Sequence, residues 1–312
     1  MQKRTIISGA LAICFSATLW GFDGIVLTPR LSRLDIGLVV FVLHALPFLL
    51  MQMFFFREYR HLRSFTRNDV LMFFLLSLLG GGVGTMAIVK ALFLVNFQHL
   101  TMVVLLQKLQ PVFAITLAAL ILKERLKRNF ILWSSLAVGA GYFLTFGWAV
   151  PDFHSGTNAT YAAAYSLLAA FSFGSSTVFS KKILQKYSFY TATFYRYGIT
   201  AFIMFAYVLI AGSIGNIKSV KSTEWLIFVL IGFTTGSGAI FLYYYGLRKV
   251  RAMVATICEL CFPISAILFD YLINHKVLSP VQWFSAGIML FAIVKLSFSN
   301  NEPSLVIAKP KQ

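Results

Sequence analysis

Acidic side chains are scarce in this sequence: 10 Asp and Glu stand against 27 Lys and Arg among 312 residues, and charged residues together make up only 12%. A water-soluble domain of this length needs roughly a quarter of its residues charged to keep its surface hydrated, so a soluble catalytic domain is excluded. Cysteine is nearly absent as well. Cys14, Cys258 and Cys261 all fall inside apolar stretches, which excludes a disulfide framework and a tetrahedral zinc site and leaves them as helix packing residues. The glycine-rich stretch from Gly80 to Gly84 is not followed by Lys and Ser or Thr, so it is no phosphate cradle. His44, His61, His99, His154 and His275 lie in separate segments, without the clustered acids, bases or nucleophile that an enzyme site or a metal centre requires. No cofactor and no metal are expected. The net charge of +17 is spread over short clusters between apolar runs, not gathered on one face, so no nucleic-acid partner is expected either.

What the chain has in abundance is hydrocarbon. Its residues are 59% hydrophobic, 32 of them Phe, and the mean hydropathy is +0.80. A helix needs about 20 mostly apolar residues to cross a bilayer core. Ten such runs occur, at 6–28, 35–56, 70–93, 99–122, 130–150, 160–181, 188–211, 225–247, 252–272 and 281–299. The first follows Lys3 and Arg4 but continues to Thr28 without a small-residue cleavage site, so it reads as a span and not as a removable signal. The expected fold class is an all-α integral membrane protein of ten transmembrane helices.

Lys and Arg collect on one side of these spans: Arg57 to Arg67, Lys123 to Arg128, Lys181 to Lys186 and Arg248 to Arg251 fall in alternate loops. Positive loops stay in the cytoplasm. Both termini are therefore expected to be cytoplasmic, in a bacterial cytoplasmic (inner) membrane, and the even number of spans agrees.

The sequence also repeats. Pro111 and Pro263 lie 152 positions apart, Trp20-Gly21 answers Phe173-Gly174, and the glycines at 80–84 answer Gly232, Gly236 and Gly238. Five spans per half is an odd number, so the halves enter the membrane in opposite directions, as inverted repeats around a central cavity. The expected division is 1–150 and 151–312.

Buried charge is costly in hydrocarbon and marks candidate function. Lys108 and Glu259 stand three and four residues before the matched prolines, where each helix is expected to bend and expose polar backbone. Trp20, Asp23, Lys90, Gln107, Phe173, Ser176, Tyr243 and Tyr244, with neighbouring Tyr245, could complete a substrate-binding pocket. Arg196 is expected to reach a headgroup or loop carbonyl from one end of its span, and Asp270 to be wet near the outer end of its own. With Lys108 for an anionic group and Glu259 for a cationic one or a coupling proton, the residues point to a secondary carrier of a small polar or zwitterionic metabolite such as an amino acid. An exchanged metabolite is an equal possibility, and lipid is the surrounding partner. The alternatives are an intramembrane lipid-modifying enzyme or a channel.

The aromatic-Gly pairs, the late prolines and the string Leu122-Lys123-Glu124-Arg125-Leu126 together resemble the EamA family of the drug/metabolite transporter superfamily over about residues 6–299. The resemblance implies ten helices, a cavity between the halves and alternating access without ATP. The second half departs from it, with His275-Lys276-Val277-Leu278 in place of the acidic-Arg-Leu string.

Overall fold

The computed structural model of the protein describes residues 2–94, 103, 106–148, 156–275, 277 and 279–299. Among the described residues every regular element is helical. Eight helices are long and apolar enough to cross a membrane: α1 (Arg4–Leu31), α2 (Ile36–Ser64), α3 (Arg67–Ala91), α5 (Arg128–Phe146), α6 (Thr160–Leu184), α7 (Phe189–Ile210), α8 (Ser222–Lys249) and α9 (Ala252–Ile273). Two shorter apolar helices are α4 (Gln110–Ile121) and α10 (Pro280–Leu296). The protein is a multi-pass integral membrane protein. Large apolar side chains project outward where a soluble protein would carry Lys and Glu, among them Phe54, Phe202, Ile210 and Phe284.

The helices begin and end where local chemistry directs. Asp35 caps α2 through the Leu38 amide, Thr66 and Asp69 form a reciprocal capping box at the start of α3, and Ser188 caps α7 through the Thr191 amide. Each cap satisfies amides that a helix start leaves without partners. α5 stops at Gly147, whose φ of +57° suits glycine, a few residues short of the expected end at 150. Lys123 after α4 and His275 after α9 adopt the same left-handed conformation, with φ of 54° and 55°.

Packing follows small residues. α1 lies against α8 and α9, α6 against α3 and α4, α2 against α7, and α5 against α10. A Cβ on Gly80 would stand 2.1 Å from the Ser176 hydroxyl, and one on Gly84 would stand 2.9 Å from the Phe173 ring. Only glycine lets α3 come this close to α6. α1, α3 and α8 each contain a π-turn, carrying one extra residue, at Asp23–Leu27, Leu78–Val83 and Gly232–Gly236.

Candidate functional site

The proline-bearing segments are broken as their sequences predict. α9 runs as Ala252–Cys258, turns through Glu259 and Leu260, and resumes as Cys261–Asn274 with Pro263 in its first turn. The preceding helical residues of the α4 segment stop before Lys108 and Leu109, and the helix resumes at Gln110 with Pro111 next. Proline supplies no amide at such a break, so polar groups gather there.

Glu259 is the centre of the polar interior. Its Oε1 accepts a hydrogen bond from the Tyr243 hydroxyl at 2.6 Å and lies 3.4 Å from the Thr177 hydroxyl, and its Oε2 accepts from the Gln110 amide at 2.6 Å. Thr177 and Tyr243 also pair with each other at 2.9 Å. The Trp20 ring lies 5.4 Å from that of Tyr243. Five helices therefore contribute to one cluster: α1, α4, α6, α8 and α9.

A second cluster adjoins it through Tyr244. Its hydroxyl pairs with Ser180 at 2.8 Å and accepts from Arg196 Nη1 at 2.9 Å, while Arg196 Nη2 donates to the Gly80 carbonyl at 3.3 Å. Ser176 donates to the Leu76 carbonyl at 3.3 Å. Arg196 thus turns inward to the π-turn of α3 and does not reach a headgroup or loop, because its mid-helix position on α7 faces the Tyr244 hydroxyl.

Of the expected pocket residues, the structure gathers Glu259, Trp20, Tyr243, Tyr244 and Ser176 at these clusters, while the Phe173 ring packs against Gly84 of α3. Lys108 turns elsewhere: its Nζ donates to the Gly141 carbonyl at 3.0 Å and to the Thr145 hydroxyl, both on α5. Lys90 is exposed on α3. Gln107 is half-buried, and Gln110, one turn on, is the amide that meets Glu259. Asp23 sits beside Thr28 and Thr235, apart from the Glu259 cluster. Tyr245 faces Lys249, whose Nζ lies 3.5 Å from its ring centre. Gln110, Thr177 and Ser180 were not singled out by the sequence. Their signal was weak, since Ser and Thr are common in these helices, although Gln110 directly precedes a matched proline.

On the side where Lys and Arg collect, a polar clasp joins the helix ends. Glu124 accepts from the Ala252 and Met253 amides at 2.8 and 3.1 Å, capping α9, and Arg251 donates to the Arg125 carbonyl at 2.7 Å. Buried Lys181 donates to the Leu247, Arg248 and Val250 carbonyls at 2.8, 3.2 and 2.5 Å. A carboxylate at a helix N-terminus and an ammonium at a C-terminus both complement the helix dipole.

Discontinuous helices around a buried, charged and aromatic interior in an all-helical membrane protein define a membrane transporter. The EamA-like transporter family's sequence profile matches residues 7–146 and again 160–298. The chain belongs to this EamA family, within the drug/metabolite transporter superfamily. It is 56% identical over 295 residues to the "Riboflavin transporter ImpX" of Fusobacterium nucleatum subsp. nucleatum, covering 94% of this chain and 99% of that protein. It is 29% identical over 263 residues to the "Uncharacterized transporter sll1164" of Synechocystis sp., covering 80% and 71% respectively. A solved structure described only as "Crystal structure of protein" shares the fold with a TM-score of 0.68 at 16% identity, over 93% of this chain and 96% of that one.

Proposed function

We propose that this transporter carries riboflavin, or a flavin of the same shape, across the membrane by alternating access. The observation that carries this reading is the 56% identity, over nearly the full length of both chains, to a protein named a riboflavin transporter. The site's chemistry supports it. Riboflavin is uncharged, with a flat three-ring body edged by carbonyls and one N–H, and with a hydroxylated side chain. Trp20 and Tyr243 offer aromatic faces to such a body. Gln110, Thr177, Tyr243 and Glu259 offer donors and acceptors to its edge or its hydroxyls. An amino acid would need separate anchors for its carboxylate and its ammonium. Lys108, the expected carboxylate anchor, is spent on Gly141 and Thr145, which favours the flavin.

We likewise propose ten spans in two inverted repeats divided near residue 150, with both termini in the cytoplasm of a bacterial cell. Several observations support it. The family profile matches twice. Exchanging each of α1–α5 with the helix five further along maps the α1 contacts with α8 and α9 onto the α6 contacts with α3 and α4, and maps α2–α7 and α5–α10 onto themselves. Lys123 and His275, left-handed and 152 positions apart, keep the spacing of the prolines. The clustered Lys and Arg support the orientation.

Quenching of tryptophan fluorescence on titration with riboflavin tests the substrate. Saturable quenching that Trp20→Phe reduces and that amino acids do not reverse is expected. Absence of saturable quenching in folded protein contradicts the reading.

A further inference from the structure

The end of α2 repeats every three residues. Its first 20 residues, Ile36–Phe55, are α-helical, about 30 Å long at about 1.5 Å per residue and enough to cross the hydrocarbon of a bilayer. Its last 9, Phe56–Ser64, form a 3₁₀ helix. Such helices are uncommon beyond three or four residues. With three residues per turn, side chains three apart lie in one row, so this helix presents three rows.

The rows differ in kind. Glu58 and His61 face the protein. Glu58 Oε2 accepts from the Thr191 hydroxyl at 2.7 Å, the Glu58 carbonyl accepts from the Tyr195 hydroxyl at 2.9 Å, and the His61 ring stands edge-on to Tyr187 at 5.9 Å. Phe56, Tyr59 and Leu62 form an apolar row that is 58%, 44% and 54% exposed, although the Tyr59 ring also meets Phe194. Arg57, Arg60 and Arg63 form a cationic row. All three are exposed, and none is in an ion pair among the described residues. The guanidinium of Arg57 lies 5.9 Å from the Phe56 ring, bringing the two outer rows together. No acid offsets this row: Glu58 is turned to Thr191, and Asp69 beyond it holds Lys186. Both ends of the helix are pinned. The Phe55 ring lies 5.6 Å from those of Tyr190 and Phe241, and the Phe65 ring lies 4.8 Å from that of Tyr195 and 5.1 Å from that of Phe73.

We propose that Phe56–Ser64 lies along the bilayer interface on the Lys- and Arg-rich side and binds anionic phospholipid. Phe56, Tyr59 and Leu62 enter the acyl boundary, and Arg57, Arg60 and Arg63 hold headgroup phosphates. An apolar row beside a basic one is how a helix lies in an interface, and the guanidinium fork suits phosphate oxygens. An anionic headgroup is preferred to a zwitterionic one because three neighbouring guanidinium groups receive no counter-charge from the protein, and a negative membrane surface attracts each of them. The inner row grips Thr191, Tyr195 and Tyr187, at and just before the start of α7. Lipid on the outer rows therefore steadies the junction of α2, α3 and α7.

This site is independent of the solute, and so is its test. Purified full-length protein is melted in neutral detergent with added phosphatidylglycerol, phosphatidylcholine or inorganic phosphate, since a ligand of the folded state raises the midpoint. Phosphatidylglycerol is expected to raise it by a few degrees more than phosphatidylcholine, and inorganic phosphate not at all. That excess should fall by at least half in the triple variant Arg57→Gln, Arg60→Gln, Arg63→Gln. It should persist in Lys123→Gln, Arg125→Gln, Arg128→Gln, which removes the same charge from another loop of that side. Salt at about 1 M, where the screening length is about 3 Å, should shrink the excess of the wild-type chain and reads the same contact without a variant. Equal shifts with the two lipids, an equal shift with phosphate, an excess that survives salt or the Arg57 triple variant, or an equal loss in both triple variants would overturn the assignment.

Discussion

Glu259 accepts hydrogen bonds from Tyr243 and Gln110, with the Thr177 hydroxyl 3.4 Å away as an alternative donor, and a carboxylate held this way can exchange one donor for a donor on the solute without ever being left unpaired. Hydrogen bonds to a charged group contribute about 1.5–3 kcal/mol. Glu259→Gln is therefore expected to lower kcat/KM for riboflavin transport ~10- to 100-fold, read from initial uptake rates. Lys108→Met is expected to cost less than ~3-fold in the same assay, because the ammonium serves α5 and the Met stem keeps the packing. The sequence marked both residues equally, and the difference is a matter of angle. Gln107, not Lys108, stands at the proline spacing of Glu259. One residue along a helix turns a side chain by about 100°, enough to aim Lys108 at Gly141 in place of the shared interior.

The eight long apolar helices were legible because hydropathy and charge are averaged over some 20 residues, while the first part of the expected span 99–122 lies mostly outside the described residues. π-turns were not legible, since they arise where two helices must accommodate one another. The glycines at 80–84 announced close packing, yet only the structure shows that Gly80 meets Ser176 and Gly81 meets Thr200. Gly80→Ala places a Cβ 2.1 Å from the Ser176 hydroxyl, and overpacking of this kind costs about 1–3 kcal/mol. It is expected to lower the melting midpoint by a few degrees, with partial recovery in the Gly80→Ala, Ser176→Gly double variant, measured by thermal unfolding in detergent. Charged pairs tie helix starts to the loops opposite them: Asp69 of α3 holds Lys186, and Glu224 of α8 holds Arg33 at 2.5 Å. The hydrogen bond that Lys186 donates to the Asp69 carboxylate keeps the ammonium protonated above its ordinary range. Its stabilisation is thus complete below about pH 10 and lost as pH rises through the raised value. Lys186 is about half exposed, with a side-chain exposure of 48%, so the contribution stays under ~1 kcal/mol.

At the scale of the molecule, α1, α8 and α9 form one group and α3, α4 and α6 another, and the clasp built from Glu124, Lys181, Arg125 and Arg251 joins the two groups on the Lys- and Arg-rich side. The sequence flagged Glu124 only through a family string. That it caps α9 depends on a contact between residues 128 positions apart, beyond any local pattern. Lys181→Met leaves the α8 carbonyls without their donor and is expected to favour the state open on that side. Buried Cys258 should then react several-fold faster with a permeant maleimide in a Cys14→Ser, Cys261→Ser background.

Flavin transport through the Glu259 site is tested most directly by uptake of labelled riboflavin by proteoliposomes holding the wild-type chain or Glu259→Gln. Saturable uptake by the wild type, competed by excess unlabelled riboflavin but not by amino acids and lowered ~10-fold or more in the variant, is the predicted result. Uptake no greater than in protein-free liposomes, or equal uptake by the two proteins, would rule out flavin transport through this site.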